Sequence, residues 1–231
     1  MRIVFVPGFT QPASSWDRVR QGLDDTVALD VPDGLDFVAT AHAIGDAGGR
    51  AIYVGYSMGG RLALRLALDR PDVVAGLGLV SASPGIADDR ERAARRDADD
   101  ELARDVERDG VDVFLDRWLA QPMFATLAAD EAGTDARRAS NTAERLTHQL
   151  RVLGQGAQEP VWDRLRELTV PVELAAGALD DKYVGISRDM ARAIGTNARL
   201  TVVGGTGHAL HLQEPDAARA MAERLRHRVT S

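Results

Sequence analysis

Ser57 stands between two glycines in GYSMG (55–59), with the apolar run AIYV (51–54) before it and RLALRLAL (61–68) after it. The first run has the length and composition of a short buried strand, and the second sets Leu62, Leu66 and small alanines on one stripe at helical period. A sharp strand-to-helix corner lifts a serine hydroxyl above the sheet and points N–H groups of the helix start at the same spot. Gly55 and Gly59 suit such a corner, because neighbouring chain comes too close for a side chain.

A serine hydroxyl is a weak nucleophile or base until an imidazole takes its proton, and the imidazole needs a carboxylate to set its tautomer. His208 lies in VVGGTGHAL (202–210) and Asp180 in AAGALDDKY (175–183), each just after a strand-like run. Parallel sheets carry their sites at those strand ends. Asp181 rivals Asp180, which stands nearer its strand. His211 falls at or near the following helix, and His42, His148 and His227 fall in helical or surface contexts. For a developing oxyanion, the expected donors are the N–H groups of Met58 and Phe9, the latter in FVPGFTQPASSW (5–16). Gly8 permits close approach there, whereas Pro7 has no N–H to give.

The elements that must position these residues follow from pattern. RIVFV (2–6), TVALDV (26–31), RAIYVGY (50–56), AGLGLVSAS (75–83), VPVELAAG (170–177) and ARLTVVGG (198–205) read as strands. Helix-like stretches lie between most of them, which implies an α/β chain with a parallel sheet and helices on both faces. Residues 84–160 break the pattern, being charged and helical throughout. Val111, Val113, Phe114, Leu115, Trp118 and Leu119 are spaced to bury one face of that stretch. We therefore read 1–83 and 161–231 as the core, with 84–160 inserted as a helical lid. Residues 214–229 close the chain as an amphipathic helix, with Pro215 in its first turn.

Bulk properties narrow the function. A chain of 231 residues with 45% hydrophobic and 27% charged residues is an ordinary globular protein, and its net charge of −7 argues against general affinity for nucleic acid or anionic membrane. The absence of cysteine excludes thiolate chemistry and disulfides. The apolar run near Met1 is too short for a signal peptide or a membrane span, so the cytoplasm is expected. With neither a ligand cluster nor a phosphate-binding glycine loop, no metal and no organic cofactor is expected. Oligomeric state stays open.

The order Ser57, Asp180, His208 is that of the α/β-hydrolase fold. Within it the chain resembles the 2-succinyl-6-hydroxy-2,4-cyclohexadiene-1-carboxylate synthases (MenH) of menaquinone biosynthesis. The resemblance is carried by GYSMGGRLAL (55–64), LRVLGQGAQEPVWDRLRELTVPVELAAGALDDKY (150–183), GHALHLQEP (207–215), WLAQPMFATL (118–127) and, more loosely, GFTQPASSW (8–16). It implies a mostly parallel α/β-hydrolase sheet flanked by helices under a helical lid. It also implies a lyase that eliminates pyruvate from a polycarboxylated cyclohexene, with the three residues acting as a base. By matching motifs, Tyr56, Arg61, Arg95 and Trp118 take substrate-binding positions, with Arg138 a looser match. Side chains on a helix lean toward its N-terminus, so Arg61, one turn beyond Ser57, is placed to clamp a carboxylate in bidentate fashion. Pro7 stands where such synthases usually carry histidine, and VPDGLD (31–36) replaces their stretch after the second strand. Two alternatives use the same residues differently: a serine hydrolase of a small-molecule ester or C–C bond, and a non-catalytic binding protein of the same fold.

Overall fold

The six apolar runs become six strands in the computed structural model, which describes residues 1–231. In chain order the elements are β1 (Ile3–Val6), α1 (Asp17–Arg20), β2 (Thr26–Ala28), α2 (Phe37–Gly48), β3 (Ala51–Tyr56), α3 (Met58–Asp69) and β4 (Val74–Val80). Then come α4 (Asp89–Leu119), α5 (Thr134–Ser140), α6 (Ala143–Leu153), β5 (Val172–Gly177), α7 (Asp181–Ile194), β6 (Ala198–Val203), α8 (Leu210–Gln213) and α9 (Pro215–Thr230). The sheet order is β2-β1-β3-β4-β5-β6, and every pair is parallel. β1, β3 and β4 are buried along their whole length, which explains why they read as continuous apolar runs rather than alternating ones.

Strand order reverses at β1, whose neighbours are β2 on one side and β3 on the other. Ligands bind open parallel sheets outside the strand ends at such a reversal. Register places Val6 beside Gly55, so the loop after β1 and the corner after β3 emerge together. The apolar faces of α2, α3 and α7 cover one side of the sheet, and α1 and α9 cover the other.

Between β4 and β5 the chain is helical. Gly110, at φ 82° and ψ 171°, splits the 31 residues of α4 into two arms, a break that the uniformly charged sequence does not announce. Ala103, Val106, Phe114 and Leu115 of α4 pack against Leu146 and Leu150 of α6 as a small separate core. Val113, expected on the buried face, is instead 43% exposed, because at about 100° per residue it lies on the opposite side of the arm from Phe114, Leu115 and Trp118. Asp88 caps α4, accepting from the N–H groups of Arg90 and Glu91 at 3.0 and 2.8 Å. No helix is long and apolar enough to cross a membrane.

The serine corner explains its glycines. A Cβ on Gly59 would stand 2.3 Å from the Val6 carbonyl oxygen and 2.5 Å from that of Pro7; one on Gly55 would stand 2.4 Å from the Gly59 carbonyl. These neighbours are backbone and cannot swing aside. Gly59→Ala must push α3 away from β1, at about 3 kcal/mol. We expect Tm to fall by roughly 6–12 °C in a thermal melt; an unchanged Tm would show that the corner yields freely.

Candidate active site

Ser57 occupies φ 49°, ψ −110°, a region non-glycine residues avoid, and its N–H donates to the Val80 carbonyl of the neighbouring strand at 2.9 Å. The sheet thus holds the strained residue from one side while α3 starts on the other. Asp180 follows β5 and caps α7, its Oδ1 accepting from the Tyr183 N–H at 3.3 Å. Its Oδ2 lies 2.7 Å from Nδ1 of His208, which the loop after β6 delivers. Nε2 of His208 lies 3.3 Å from the Ser57 hydroxyl. The structure therefore brings the three expected side chains into one hydrogen-bonded chain. Asp181, the rival carboxylate, is an exposed first residue of α7.

Aromatic rings enclose the imidazole of His208: Tyr183 at 4.5 Å, Tyr56 at 5.4 Å and Phe124 at 6.2 Å between centroids. Beneath them His211 is fully buried, stacked on Tyr56 and Trp16 and bonded through Nε2 to Gln11 at 3.1 Å. Burial, reinforced by the Arg137 charge, pushes its pKa well below the ordinary imidazole value, so it stays neutral. Its place is under the site. Tyr56, expected on the substrate, lies in this same floor and does not line the cavity.

A cavity of about 260 Å³ opens over Ser57, lined by Phe9, Met58, Arg61, Arg95, Trp118 and Tyr183 among others. Met58 is the first residue of α3, so its N–H has no intrahelical acceptor, and Phe9 faces it from the loop after β1. Gly8 allows that approach, since a Cβ there would meet the Tyr56 ring at 2.6 Å.

Arg61 is only 5% exposed and forms no ion pair of its own; the acid whose charge reaches it, Asp99, is bonded to Arg95. Nη1 donates to Gln158 Oε1 at 2.9 Å and Nη2 to the Leu153 carbonyl at 2.7 Å. Burial lowers its pKa to about 10, which leaves it charged at neutral pH. Arg95 lines the same cavity, held by the buried Asp99 at 2.8 Å and by Gln155 Oε1 at 3.2 Å. Trp118 lines it as well, and its indole N–H is buried without an acceptor. Gln149, likewise in the lining, has a buried carbonyl oxygen without a donor.

Arg138 lies elsewhere. It is bonded to Asp116 at 2.7 Å and flanked by Asp112 and Asp135, outside the cavity lining. The helical phase of α5 turns it outward to those acids and turns its neighbour Arg137 inward, where Arg137 donates to Ala132 O at 2.7 Å and to Thr10 Oγ1.

Sequence reasoning did not single out Gln155, Gln158 or Asp99. The only signal was GQGAQEP itself: Gly156 passes so close to α4 that a Cβ would stand 2.3 Å from the Arg96 nitrogen. That close passage delivers both glutamines to the arginines.

The Alpha/beta hydrolase family model matches residues 3–222. A 2-succinyl-6-hydroxy-2,4-cyclohexadiene-1-carboxylate synthase of Enterobacter sp. (strain 638) is 28% identical over 244 residues, covering 98% of this chain and 92% of its own. The structure of MenH from S. aureus superposes with a TM-score of 0.92 at 26% identity, covering 100% of this chain and 95% of that one. A thermophilic esterase from Thermogutta terrifontis shares the fold at 17% identity, with a TM-score of 0.79 and coverage of 100% and 91%.

Proposed function

The chain belongs to the alpha/beta hydrolase family, and from that premise we propose that it is a 2-succinyl-6-hydroxy-2,4-cyclohexadiene-1-carboxylate synthase, eliminating pyruvate from a polycarboxylated cyclohexene in menaquinone biosynthesis. One observation carries the reading: Ser57, in reach of His208, opens on a cavity whose buried Arg61 is bonded only to neutral acceptors, with the one nearby acid, Asp99, engaged by Arg95. A cation held that way awaits an anionic ligand. The similarity to synthases over nearly the whole chain supports the same substrate class.

In the proposed reaction Asp180 orients the imidazole, and His208 Nε2 takes the hydroxyl proton while the Ser57 oxygen removes a proton from a ring carbon. The freed electron pair forms a ring double bond and the C–O bond to the leaving group breaks. The leaving group departs as the enolate of pyruvate and is protonated, returning the proton. N–H groups of Met58 and Phe9 stabilise charge on a substrate oxygen, where losing one donor commonly costs about 10²–10³-fold. Arg61 and Arg95 hold carboxylates, with Trp118 against the ring.

The purified protein should release one pyruvate per substrate, read by NADH oxidation through lactate dehydrogenase. No release at micromolar enzyme would overturn the reading. A hydrolytic reading rests on the same Ser57–His208 contact. Rapid fluorophosphonate labelling together with burst kinetics on an activated ester would favour it.

A further inference from the structure

Tyr183 carries a hydroxyl whose direction the surrounding bonds determine. Arg95 Nη1 meets Gln155 Oε1 at 3.2 Å, and Gln155 Nε2 meets the Tyr183 oxygen at 2.7 Å. A guanidinium only donates, so the Gln155 oxygen must face Arg95 and its NH₂ must face Tyr183. The Tyr183 oxygen is therefore an acceptor in that bond, and its single proton points elsewhere. No protein atom accepts that proton, although Tyr183 is 6% exposed and lines the cavity beside Arg61 and Arg95. We propose that the Tyr183 hydroxyl is a substrate-binding donor, completing with Arg61 and Arg95 a cradle for a carboxylate, and that Gln155 is the positioning residue that aims it. The inference rests on the reading of the substrate as a polycarboxylate.

Further features agree. Burial raises the Tyr183 pKa, so the phenol keeps its proton near neutral pH and offers a donor rather than a repelling charge. The Tyr183 ring packs on His208 at 4.5 Å and its backbone N–H donates to Asp180, so an anion bound at the hydroxyl sits beside the base without displacing it. Arg95 reaches out from the lid helix α4, whereas Tyr183 belongs to the core helix α7. Gln155 thus ties the two halves of the cradle together.

The test is a double-mutant cycle on binding, with isophthalate (a ring bearing two carboxylates) as the probe in calorimetry. Tyr183→Phe keeps the ring against His208 and should weaken binding about tenfold, the worth of a hydrogen bond to a charged acceptor. Gln155→Glu inverts the bond, because a carboxylate accepts from Arg95 and from the Tyr183 hydroxyl together. In that background Tyr183→Phe should change affinity less than about twofold. Equal affinity of wild type and Tyr183→Phe, a tenfold loss in both backgrounds, or no binding of isophthalate to wild type would each overturn the proposal. In the pyruvate assay Tyr183→Phe should raise KM about tenfold with kcat within about twofold. If pyruvate is never released but the cycle on isophthalate holds, the lyase reading fails and the Tyr183 cradle stands.

Discussion

His208→Ala is expected to lower kcat about 10³-fold while leaving KM within about twofold of wild type. The imidazole is the only base in contact with the Ser57 hydroxyl, at 3.3 Å, and its side chain is 1% exposed, so water has no ready path to replace it. Of the groups assigned to holding carboxylates it touches only the ring of Tyr183, and neither Arg61 nor Arg95, which is why substrate affinity should survive. Asp180→Asn tests the other end of the chain. The asparagine NH₂ facing Nδ1 would favour the tautomer with its proton on Nε2, where it cannot accept from Ser57, so kcat should fall comparably. Because the three act as a unit, Ser57→Ala combined with His208→Ala should be no slower than either alone. Steady-state pyruvate release measures all four variants. His208→Ala retaining more than a tenth of wild-type kcat would remove the imidazole from the reaction. A thermal melt guards the interpretation, since the lost ring leaves space among Tyr56, Tyr183 and Phe124.

The fold was legible because a fully buried parallel strand has no alternation to hide it, so β1, β3, β4 and β5 stand out as apolar runs. The corner at Ser57 was legible for a steric reason: only glycine fits at 55 and 59, where backbone lies within 2.5 Å of the missing Cβ. Once strand ends are located, Asp180 and His208 follow from sheet topology, being short local excursions from β5 and β6. The helical stretch between β4 and β5 was harder. Its apolar residues are so closely spaced along 111–119 that Val113, on the exposed side of the arm, could be counted with the buried Phe114 and Leu115. Nothing in the charged run around Gly110 announces the break there. Choosing between Arg137 and Arg138 needs the rotation of a seven-residue helix, and charge gives no clue to it. Tyr56 was assigned to the cavity by motif, yet the strained corner that projects Ser57 leaves its neighbour in the floor with His211. Gln155 and Gln158 escaped notice because an amide acquires its meaning from distant partners, 60 and 97 residues away in the chain.

Arg61→Met should raise KM about 10²-fold, lower kcat by less than about tenfold, and leave the free protein no less stable. The affinity loss follows from the charge. A buried arginine meeting a carboxylate in a dry site is worth about 2–5 kcal/mol when one partner is truncated. The stability claim is the more diagnostic. Arg61 is a desolvated cation whose pKa falls to about 10, so at any lower pH the folded state carries a penalty on the order of 3 kcal/mol that the unfolded chain lacks. Against this, methionine strands Gln158 Oε1 and the Leu153 carbonyl, at about 1–3 kcal/mol each. Gln158 has no other side-chain hydrogen bond to hold its amide in place, so its oxygen is free to turn, the two sides nearly cancel and Tm should move by less than about 3 °C. Isophthalate should raise the Tm of wild type, because it binds only the folded state, and should do so far less in Arg61→Met. Arg61→Lys keeps the charge near the Phe37 ring, where the guanidinium lies 5.6 Å from the centroid, but loses the two-pronged fork; its KM should fall between the others. If Arg61→Met lost more than about 10 °C of Tm, the arginine would be a structural strut and the cavity's unpaired charge would have another explanation. If instead KM stayed at the wild-type value, the substrate's carboxylates would have to be held by Tyr183 and by Arg95, whose charge Asp99 already neutralises.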